Sequence, residues 1–285
     1  MTYNINHANI KEWAKNYDGI SLNTIYNEDC LKTMKRMPDG FVDLTVTSPP
    51  YDNLRTYNGY SFDFESIAKE LYRVTKDGGV VVWVVGDATV SGSETGTSFR
   101  QALYFKEVGF NLHDTMIWRK KDPLPQTKVG RRYTLAHEYM FVFAKGRLST
   151  FNPIMIPTKN AGKKANVGTQ READGTKRAN RLEAMSNRVT MPTKPMQSVV
   201  EYPTGKSRKH PAVFPEKLAY DHIVSWSNEN DTIYDCFMGS GTTAKVAKDL
   251  NRNYIGSEIS KEYCDIAEAR IKYWLEKEDK QVRLI

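Results

Sequence analysis

The sequence is poor in cysteine and has no long hydrophobic run. Its three cysteines, Cys30, Cys236 and Cys264, lie far apart and form no C-x-x-C pair, which argues against a disulfide framework or a zinc site. No apolar run approaches the ~20 residues that cross a bilayer. The first residues, MTYNINHANIKEW, lack the basic-then-apolar layout of a secretory signal peptide. We therefore expect a cytoplasmic protein that does not span a membrane.

Acidic residues are scarce in one part of the chain. Residues 151–210 contain 12 Lys and Arg against four Asp and Glu, a net charge of +8, whereas the whole chain carries +7. The remainder is therefore close to neutral. A basic excess confined to one segment predicts a surface that binds a polyanion, although a solvated, lysine-rich loop would have the same composition.

Short apolar runs alternate with segments of helical periodicity, which predicts an α/β fold with a mostly parallel sheet flanked by helices. VDLTV, at 42–46, is the first clear strand. VVVWVVGD, at 80–87, is apolar on both faces, as expected of a central strand. KDGG, at 76–79, is expected to end the preceding helix, with a glycine in the left-handed conformation. The periodicity fails from about 151 to 209, a stretch too long for an ordinary loop.

A glycine-rich turn follows a later apolar strand in DCFMGSGTTA, at 235–244. Glycines allow positive φ and close approach of a ligand, and the helix that begins near Thr242 presents free N–H groups. Glu258 ends the next strand, where a carboxylate can accept hydrogen bonds from both ribose hydroxyls. The pattern predicts NAD, with its pyrophosphate at the helix N-terminus, or S-adenosylmethionine. The predicted contacts are Asp235, Phe237, Gly239, Ser240, Gly241, Thr242 and Glu258.

The position of this turn in the chain also constrains the fold. About 27 residues follow Glu258, too few for the strands that a classical dinucleotide-binding fold places after its fingerprint. The remaining strands must come from the N-terminal half. We therefore predict a circularly permuted fold, which a parallel sheet allows when its termini lie close together.

The segment TSPPY, at 47–51, leaves the strand VDLTV through two prolines. Neither proline has an N–H to donate, so the turn is rigid and cannot extend the sheet. Such a turn suits methyl transfer to an exocyclic amine, whose delocalised lone pair makes it a poor nucleophile. Ser48 Oγ and the Pro49 carbonyl can accept its N–H bonds as preorganised acceptors, and Tyr51 can stack on an extruded base. The predicted catalytic residues are Ser48, Pro49, Pro50 and Tyr51.

TSPPY followed by DCFMGSGTT resembles the amino-group DNA methyltransferases that modify cytosine N4 or adenine N6, in their β-class motif order. The resemblance covers nearly the whole chain. It implies a circularly permuted Rossmann-like methyltransferase fold, S-adenosylmethionine as cofactor and double-stranded DNA as substrate. It also implies that Asp29 of NEDC contacts the cofactor adenine, although this motif alone could be a strand end with a helix cap. Phe214 and Pro215 of HPAVFPEKL would line the cofactor pocket.

The same resemblance implies a division of the chain. Residues 1–146 and 206–285 would form the catalytic domain, and the basic insertion 147–205 would recognise the target. Its cations would contact phosphates and give a strong salt dependence, while other side chains would contact bases. The predicted DNA contacts are Lys159, Lys163, Lys164, Arg171, Lys177, Arg178, Arg181 and Arg188.

Ser48 bears on the target base. The family's adenine enzymes usually carry Asp at this position, and serine is more typical of N4-cytosine enzymes, so N4 is favoured over N6. Chemistry at cytosine C5 is disfavoured because it needs a cysteine nucleophile, in that family after a proline, and no cysteine here follows one. A cognate restriction endonuclease and a homodimer are both compatible with the family.

Other classes of protein explain less of the sequence. An NAD-dependent reductase gives no reason for TSPPY, and a non-catalytic nucleic-acid-binding protein explains neither motif. An RNA or protein methyltransferase would share the glycine turn, but the long basic insertion favours a duplex. The histidines His113, His137 and His210 show no ligand spacing, so no metal site is predicted.

Overall fold

The computed structural model describes residues 19–50, 62–123, 132–164, 174–176, 189–204 and 214–282. Backbone contacts divide the chain into two compact units. Unit 1 comprises Met1–Asn152 and Ser198–Ile285, and unit 2 is Pro153–Gln197. Among the described residues, no helix is long and apolar enough to cross a membrane.

The described strands and helices follow the alternation that the sequence predicts. The strands are β1 (Thr24–Tyr26), β2 (Val42–Thr47), β3 (Thr75–Val85), β4 (Thr89–Val90), β5 (Ser93–Glu94), β6 (Asn111–Lys120), β7 (His137–Ala144), β8 (Met155–Pro157), β9 (Thr193–Pro195), β10 (Val199–Tyr202), β11 (Thr232–Asp235) and β12 (Asn253–Ser257). The helices are α1 (Cys30–Arg36), α2 (Phe64–Val74), α3 (Thr97–Val108), α4 (Glu216–Trp226), α5 (Thr242–Asp249) and α6 (Lys261–Val282).

The main sheet of unit 1 has the strand order β1-β12-β11-β2-β3-β7-β6-β10. Its neighbouring strands are parallel, except that β7 runs antiparallel to both β3 and β6. β11 and β12, from the end of the chain, lie between β1 and β2, from its beginning. The two halves of the chain therefore interleave in one sheet, and the carboxyl ends of β1, β12, β11, β2 and β3 meet at one edge.

Helices cover both faces of the central strands. On one face Val81, Trp83 and Val85 of β3 join a buried cluster with apolar residues of α1, α2 and α3. On the other face α4 packs against β2 and β3. Because each strand places alternate side chains on opposite faces, β3 is buried on both sides, as its uninterrupted apolar run predicts.

The structure corrects the prediction for KDGG. α2 ends at Val74, and these residues already belong to β3. Gly78 does have a positive φ of 82°, but its N–H donates to the carbonyl of Lys145 at 2.6 Å, inside the sheet region. A glycine in the left-handed conformation therefore marks an irregularity in a strand here, not a helix cap.

Unit 2 lies within the segment 147–205 that the sequence sets apart. Its β8 and β9 form an antiparallel pair, with Met155 opposite Pro195. Residues at the end of the same segment instead form β10, which pairs in parallel with β6 of the main sheet. Tyr202 explains this placement, because its ring is 2% exposed and its hydroxyl donates to Asp221 of α4 at 2.8 Å.

Candidate active site

Four neighbouring strands place the predicted motifs at the same sheet edge. β11 and β2 pair with Tyr234 opposite Thr45, so the glycine turn after β11 lies next to Ser48, which follows β2. β12 and β1 continue the same edge and end at Glu258 and near Asp29. The structure therefore brings the predicted catalytic turn and the predicted cofactor residues to one edge of the sheet.

The glycine turn needs a backbone that other residues rarely adopt. Gly239 and Gly241 have φ values of 51° and 78°, in the left-handed region that glycine tolerates best. A Cβ on Gly241 would lie 2.7 Å from the Cβ of Ala267 on α6. Gly241 is also the N-cap of α5. The turn thus closes tightly onto α6 and directs the start of α5 into the sheet edge.

Glu258 is fixed beside this turn through both of its carboxylate oxygens. Oε2 accepts the Gly239 N–H at 2.9 Å, and Oε1 accepts the Ser260 N–H at 2.8 Å. Burial raises the pKa of Glu258, and the hydrogen bonds from the Ser260 and Gly239 N–H groups oppose that increase. Asn27, which sequence reasoning missed, donates its amide to the Glu258 carbonyl at 2.9 Å. A half-buried acceptor is therefore held at the end of β12.

Asp29 follows β1 and caps α1, because its carboxylate accepts the Leu31 N–H at 2.8 Å. Asp29 is therefore a helix cap at the carboxyl edge of the sheet, while its contact with the cofactor adenine stays a prediction. Pro215 is buried at the start of α4, next to the half-buried Phe214. Glu216, the first residue of α4, forms ion pairs with Lys245 of α5 and Arg270 of α6, which ties this segment to the helix after the glycine turn.

Arg270 of α6, which the sequence analysis did not single out, contacts the glycine turn through Ser240 and Thr242. Arg270 Nη1 donates to the Ser240 carbonyl and the Thr242 hydroxyl, both at 3.1 Å. Arg270 therefore supports the outer side of the glycine turn. Its signal in the sequence is weak, because an arginine on an amphipathic helix is usually solvent-exposed.

Asp235 contacts neighbouring protein groups with both oxygens. Oδ1 accepts the Thr47 hydroxyl at 2.7 Å and the Phe237 N–H at 3.0 Å, and Oδ2 accepts the Thr243 hydroxyl at 2.7 Å. Burial raises the pKa of Asp235 to about 6, against the opposing effect of these hydrogen bonds. Thr47 and Thr243 lie inside the two motifs, but the sequence did not indicate that their hydroxyls donate to Asp235.

The described residues of the predicted catalytic turn are at least half-buried. Pro49 is buried, while Ser48 and Pro50 are half-buried; Tyr51 lies outside the described residues. The half-buried ring of Phe237 packs edge-on against Phe62, with 5.7 Å between ring centroids. Both rings also pack against the hydrophobic core, and Phe237 begins the glycine turn. In the described part of the chain, no group of three or more His, Cys, Asp or Glu side chains could hold a metal ion.

Comparison with known proteins identifies the family of this chain. The family model for N6/N4 DNA methylases matches residues 42–269. The chain belongs to this DNA methylase family. S-adenosylmethionine is its cofactor, as the family resemblance implies.

Relatives of this DNA methylase cover most of its length. It is 56% identical over 252 residues to the orphan methyltransferase M.BamHII of Bacillus amyloliquefaciens, spanning 83% of this chain and 91% of the relative. The type II methyltransferase M.BglII of Bacillus subtilis is 32% identical over 259 residues, spanning 86% and 68% of the two chains.

Solved structures confirm the predicted methyltransferase fold. The cytosine-N4-specific PvuII DNA methyltransferase matches with a TM-score of 0.64 at 21% identity, covering 86% of this chain and 84% of that one. The M1.HpyAVI–SAM complex matches with a TM-score of 0.56 at 23% identity, covering 87% and 98%.

The predicted DNA contacts of this methylase are only partly described. Lys159, Lys163 and Lys164 are exposed in unit 2. The backbone of Lys164 forms an isolated antiparallel β-bridge with Val189. The remaining five, Arg171, Lys177, Arg178, Arg181 and Arg188, lie outside the described residues.

Proposed function

We propose that this methylase transfers a methyl group from S-adenosylmethionine to the exocyclic N4 of cytosine in duplex DNA. The observation that carries the proposal is the adjacency of β2 and β11. It puts a rigid, acceptor-rich turn next to a glycine turn and a fixed carboxylate. A nucleotide-binding protein without catalytic activity needs only the glycine turn and the carboxylate, and not the rigid turn.

The residues at the sheet edge fit the cofactor. We assign Glu258 to the ribose hydroxyls and Asp29 to the adenine amine, since both are carboxylates held at this edge by backbone N–H groups. The backbone from Phe237 to Gly241 offers polar groups for the amino-acid end, next to the apolar surface of Phe237 and Phe62. When bound, S-adenosylmethionine supplies an electrophilic methyl group carried on a sulfonium.

Ser48 and Pro49 activate the acceptor amine. An exocyclic nitrogen conjugated with its ring is a weak nucleophile, and it becomes stronger as it turns tetrahedral. Ser48 Oγ and the Pro49 carbonyl accept its two N–H bonds in that geometry. As the nitrogen gains the methyl group it must release one of these protons to solvent, and the methyl donor would leave as a neutral thioether. Because the buried Pro49 and its neighbour Pro50 restrict the backbone, these acceptors need little reorganisation, and alignment of the amine supplies much of the rate.

Cytosine is favoured because serine at this position resembles the N4-cytosine members of the family, whereas the adenine members usually carry Asp there. The Ser48 hydroxyl accepts one hydrogen bond and donates another, so it can accept from the exocyclic amine while donating to the neighbouring ring nitrogen. The base must leave the duplex to reach this turn, and an aromatic surface beside the site can stack on the extruded ring. We assign that stacking role to Tyr51.

Unit 2 is proposed to recognise the DNA target, because it carries the exposed lysines of the basic segment. M.BamHII, at 56% identity, is named an orphan methyltransferase. That name supports a role for this methylase without a cognate restriction endonuclease.

The test is incubation of duplex DNA with labelled S-adenosylmethionine, followed by mass spectrometry of the nucleosides. N4-methylcytosine is the expected product. N6-methyladenine would overturn the assignment of the base, and no modified base on DNA of diverse sequence would overturn the proposed function. Ser48→Ala should lower turnover by about 100-fold, as for the loss of one preorganised hydrogen-bonding group, with unchanged affinity for the cofactor.

A further inference from the structure

Asp235 is an enclosed carboxylate near the predicted catalytic turn. It is 1% exposed, and its hydroxyl partners Thr47 and Thr243 are fully buried. The carboxylate accepts three donors, two hydroxyls at 2.7 Å each and the Phe237 N–H at 3.0 Å. Both of its oxygens are therefore engaged by the protein itself.

These three donors come from three different parts of the site. Thr47 ends β2 and immediately precedes Ser48. Phe237 begins the glycine turn, and Thr243 lies in the first turn of α5. Cys236 Sγ also lies 3.6 Å from Thr47 Oγ1 at the same junction. Thr243 Oγ1 lies 3.2 Å from the Val46 carbonyl, but its single proton is donated to Asp235 at the shorter distance of 2.7 Å. One carboxylate thus joins the turn that holds the amine to the turn that holds the methyl donor.

Stability alone is a poor reason for a carboxylate at this point. Removing an ionised group from water is costly, and apolar or neutral groups of the same shape are often at least as stable. Only a carboxylate of this size has the acceptor capacity for three donors. Hydrogen bonds to a charged acceptor are also shorter and stronger than neutral ones, so they fix the two turns more firmly.

We propose that Asp235 is a positioning residue, which sets Ser48 and Pro49 against the bound methyl donor through Thr47 without itself touching the cofactor. This role rests on the proposed function, and it replaces the cofactor contact that the sequence predicts for Asp235. A shift of about 1 Å between reacting groups can lower a rate by about 100-fold, so a lock between the two turns affects the chemical step directly.

The experiment compares Thr47→Val, Thr47→Ser and Asp235→Asn in single-turnover methylation of duplex DNA, alongside calorimetric titration of S-adenosylmethionine. Thr47→Val removes the hydroxyl at nearly constant volume, and we expect kcat to fall by about 10- to 100-fold while cofactor affinity stays within about threefold. Thr47→Ser keeps the hydroxyl and should retain activity close to that of the wild type. Asp235→Asn should resemble Thr47→Val.

Thr45→Val is the matched control. Thr45 lies two residues earlier on β2 and is fully buried, but its hydroxyl finds no hydrogen-bond partner among the described residues. Its replacement should leave kcat unchanged. The double variant Thr47→Val/Asp235→Asn should be no slower than the slower single variant, because both remove the same coupling.

Three results would overturn the positioning role. Wild-type kcat in Thr47→Val would show that the hydroxyl does not act on the turn. A cofactor affinity lowered more than tenfold in Asp235→Asn would make Asp235 a ligand instead. If Thr45→Val lowered kcat as much as Thr47→Val does, the loss in both variants would come from disturbed packing of β2 and not from the hydrogen bond to Asp235. If the wild-type protein modifies no base at all, the proposed function fails first, and the positioning role falls with it.

Discussion

Glu258 illustrates how one side chain can be prepared for a ligand. Its two oxygens accept backbone N–H groups of Gly239 and Ser260, which leaves further lone pairs for ribose hydroxyls. Glu258→Gln puts an amide donor where an acceptor is needed. We expect the affinity for S-adenosylmethionine to fall by about tenfold or more, as for the loss of a hydrogen bond to a charged group. Isothermal titration calorimetry measures this directly.

The exposed Glu262, at the start of α6, provides the control. Glu262→Gln removes the same charge four residues away and should leave the cofactor affinity unchanged. Equal affinities for the wild type and Glu258→Gln would remove Glu258 from the ribose role.

His222 gives the protein a specific sensitivity to acid. It is 2% exposed, its Nδ1 accepts the Trp226 indole N–H at 3.2 Å, and burial lowers its pKa to about 4. The unfolded chain takes up this proton near pH 6.5. The stability that comes from neutral His222 is therefore present above about pH 6.5 and is lost as the pH falls toward 4, by about 3 kcal/mol in total.

Urea denaturation between pH 4 and 7 tests this expectation. His222→Gln keeps an acceptor for the indole but cannot titrate, so its stability should fall less on acidification. Comparing wild type and variant cancels the contribution of Asp235, whose raised pKa acts in the opposite direction in an overlapping range. The exposed His113 supplies the control variant His113→Gln. Identical pH dependence of wild type and His222→Gln would contradict the prediction.

The glycine turn and α6 depend on each other for their geometry. Gly241→Ala places a residue at φ 78° and brings its Cβ within 2.7 Å of the Ala267 Cβ. We expect the free energy of unfolding to fall by about 2–4 kcal/mol, the sum of backbone strain and crowding. Adding Ala267→Gly should relieve the crowding, so the double variant should be more stable than the sum of the single changes by about 1 kcal/mol or more.

A substitution at Gly96 distinguishes backbone strain from crowding. It is the N-cap of α3, in the same left-handed conformation, but a Cβ there would meet no atom within 4 Å. Gly96→Ala should therefore show only the backbone term, about 1–2 kcal/mol. A destabilisation of Gly241→Ala no larger than that of Gly96→Ala would show that contact with α6 is unimportant.

The sequence predicts elements whose signal is local. VDLTV and the long apolar run of β3 are recognisable because periodicity and burial coincide. β10 is not, because four residues at the end of a polar segment become a strand only when β6 is available to pair with them. The prediction of a helix end at KDGG is wrong for a similar reason. A glycine in the left-handed conformation occurs both at helix ends and at irregularities within strands.

The same limit applies to the site. Ser48, Gly239 and Glu258 can be found because each carries a motif or ends a strand. Thr47, Thr243 and Arg270 acquire their roles only through contacts between distant segments. The hydrogen bond from Thr47 to Asp235 joins residues 188 positions apart, and no local sequence pattern predicts it.

Across the whole molecule, the two ends of the chain contribute to one sheet. β11 and β12 lie between β1 and β2, so the predicted catalytic turn and the glycine turn become neighbours only when both halves are folded together. The polar, basic stretch between them contributes β10 to that sheet and forms unit 2. The excess of basic residues is therefore confined to one segment of the chain, so its proposed contribution to DNA affinity can be tested separately from catalysis.

DNA affinity should depend on salt through the exposed lysines of unit 2. Reversing Lys159, Lys163 and Lys164 to Glu should weaken duplex binding and reduce the slope of log K against log salt by about 0.9 for each phosphate that the protein no longer neutralises. Fluorescence anisotropy across a salt series measures that slope. The control reverses three exposed lysines of unit 1: Lys32, Lys35 and Lys69. Both variants change the net charge equally, so a similar reduction of the slope in both would mean that overall charge, and not binding through unit 2, determines the affinity.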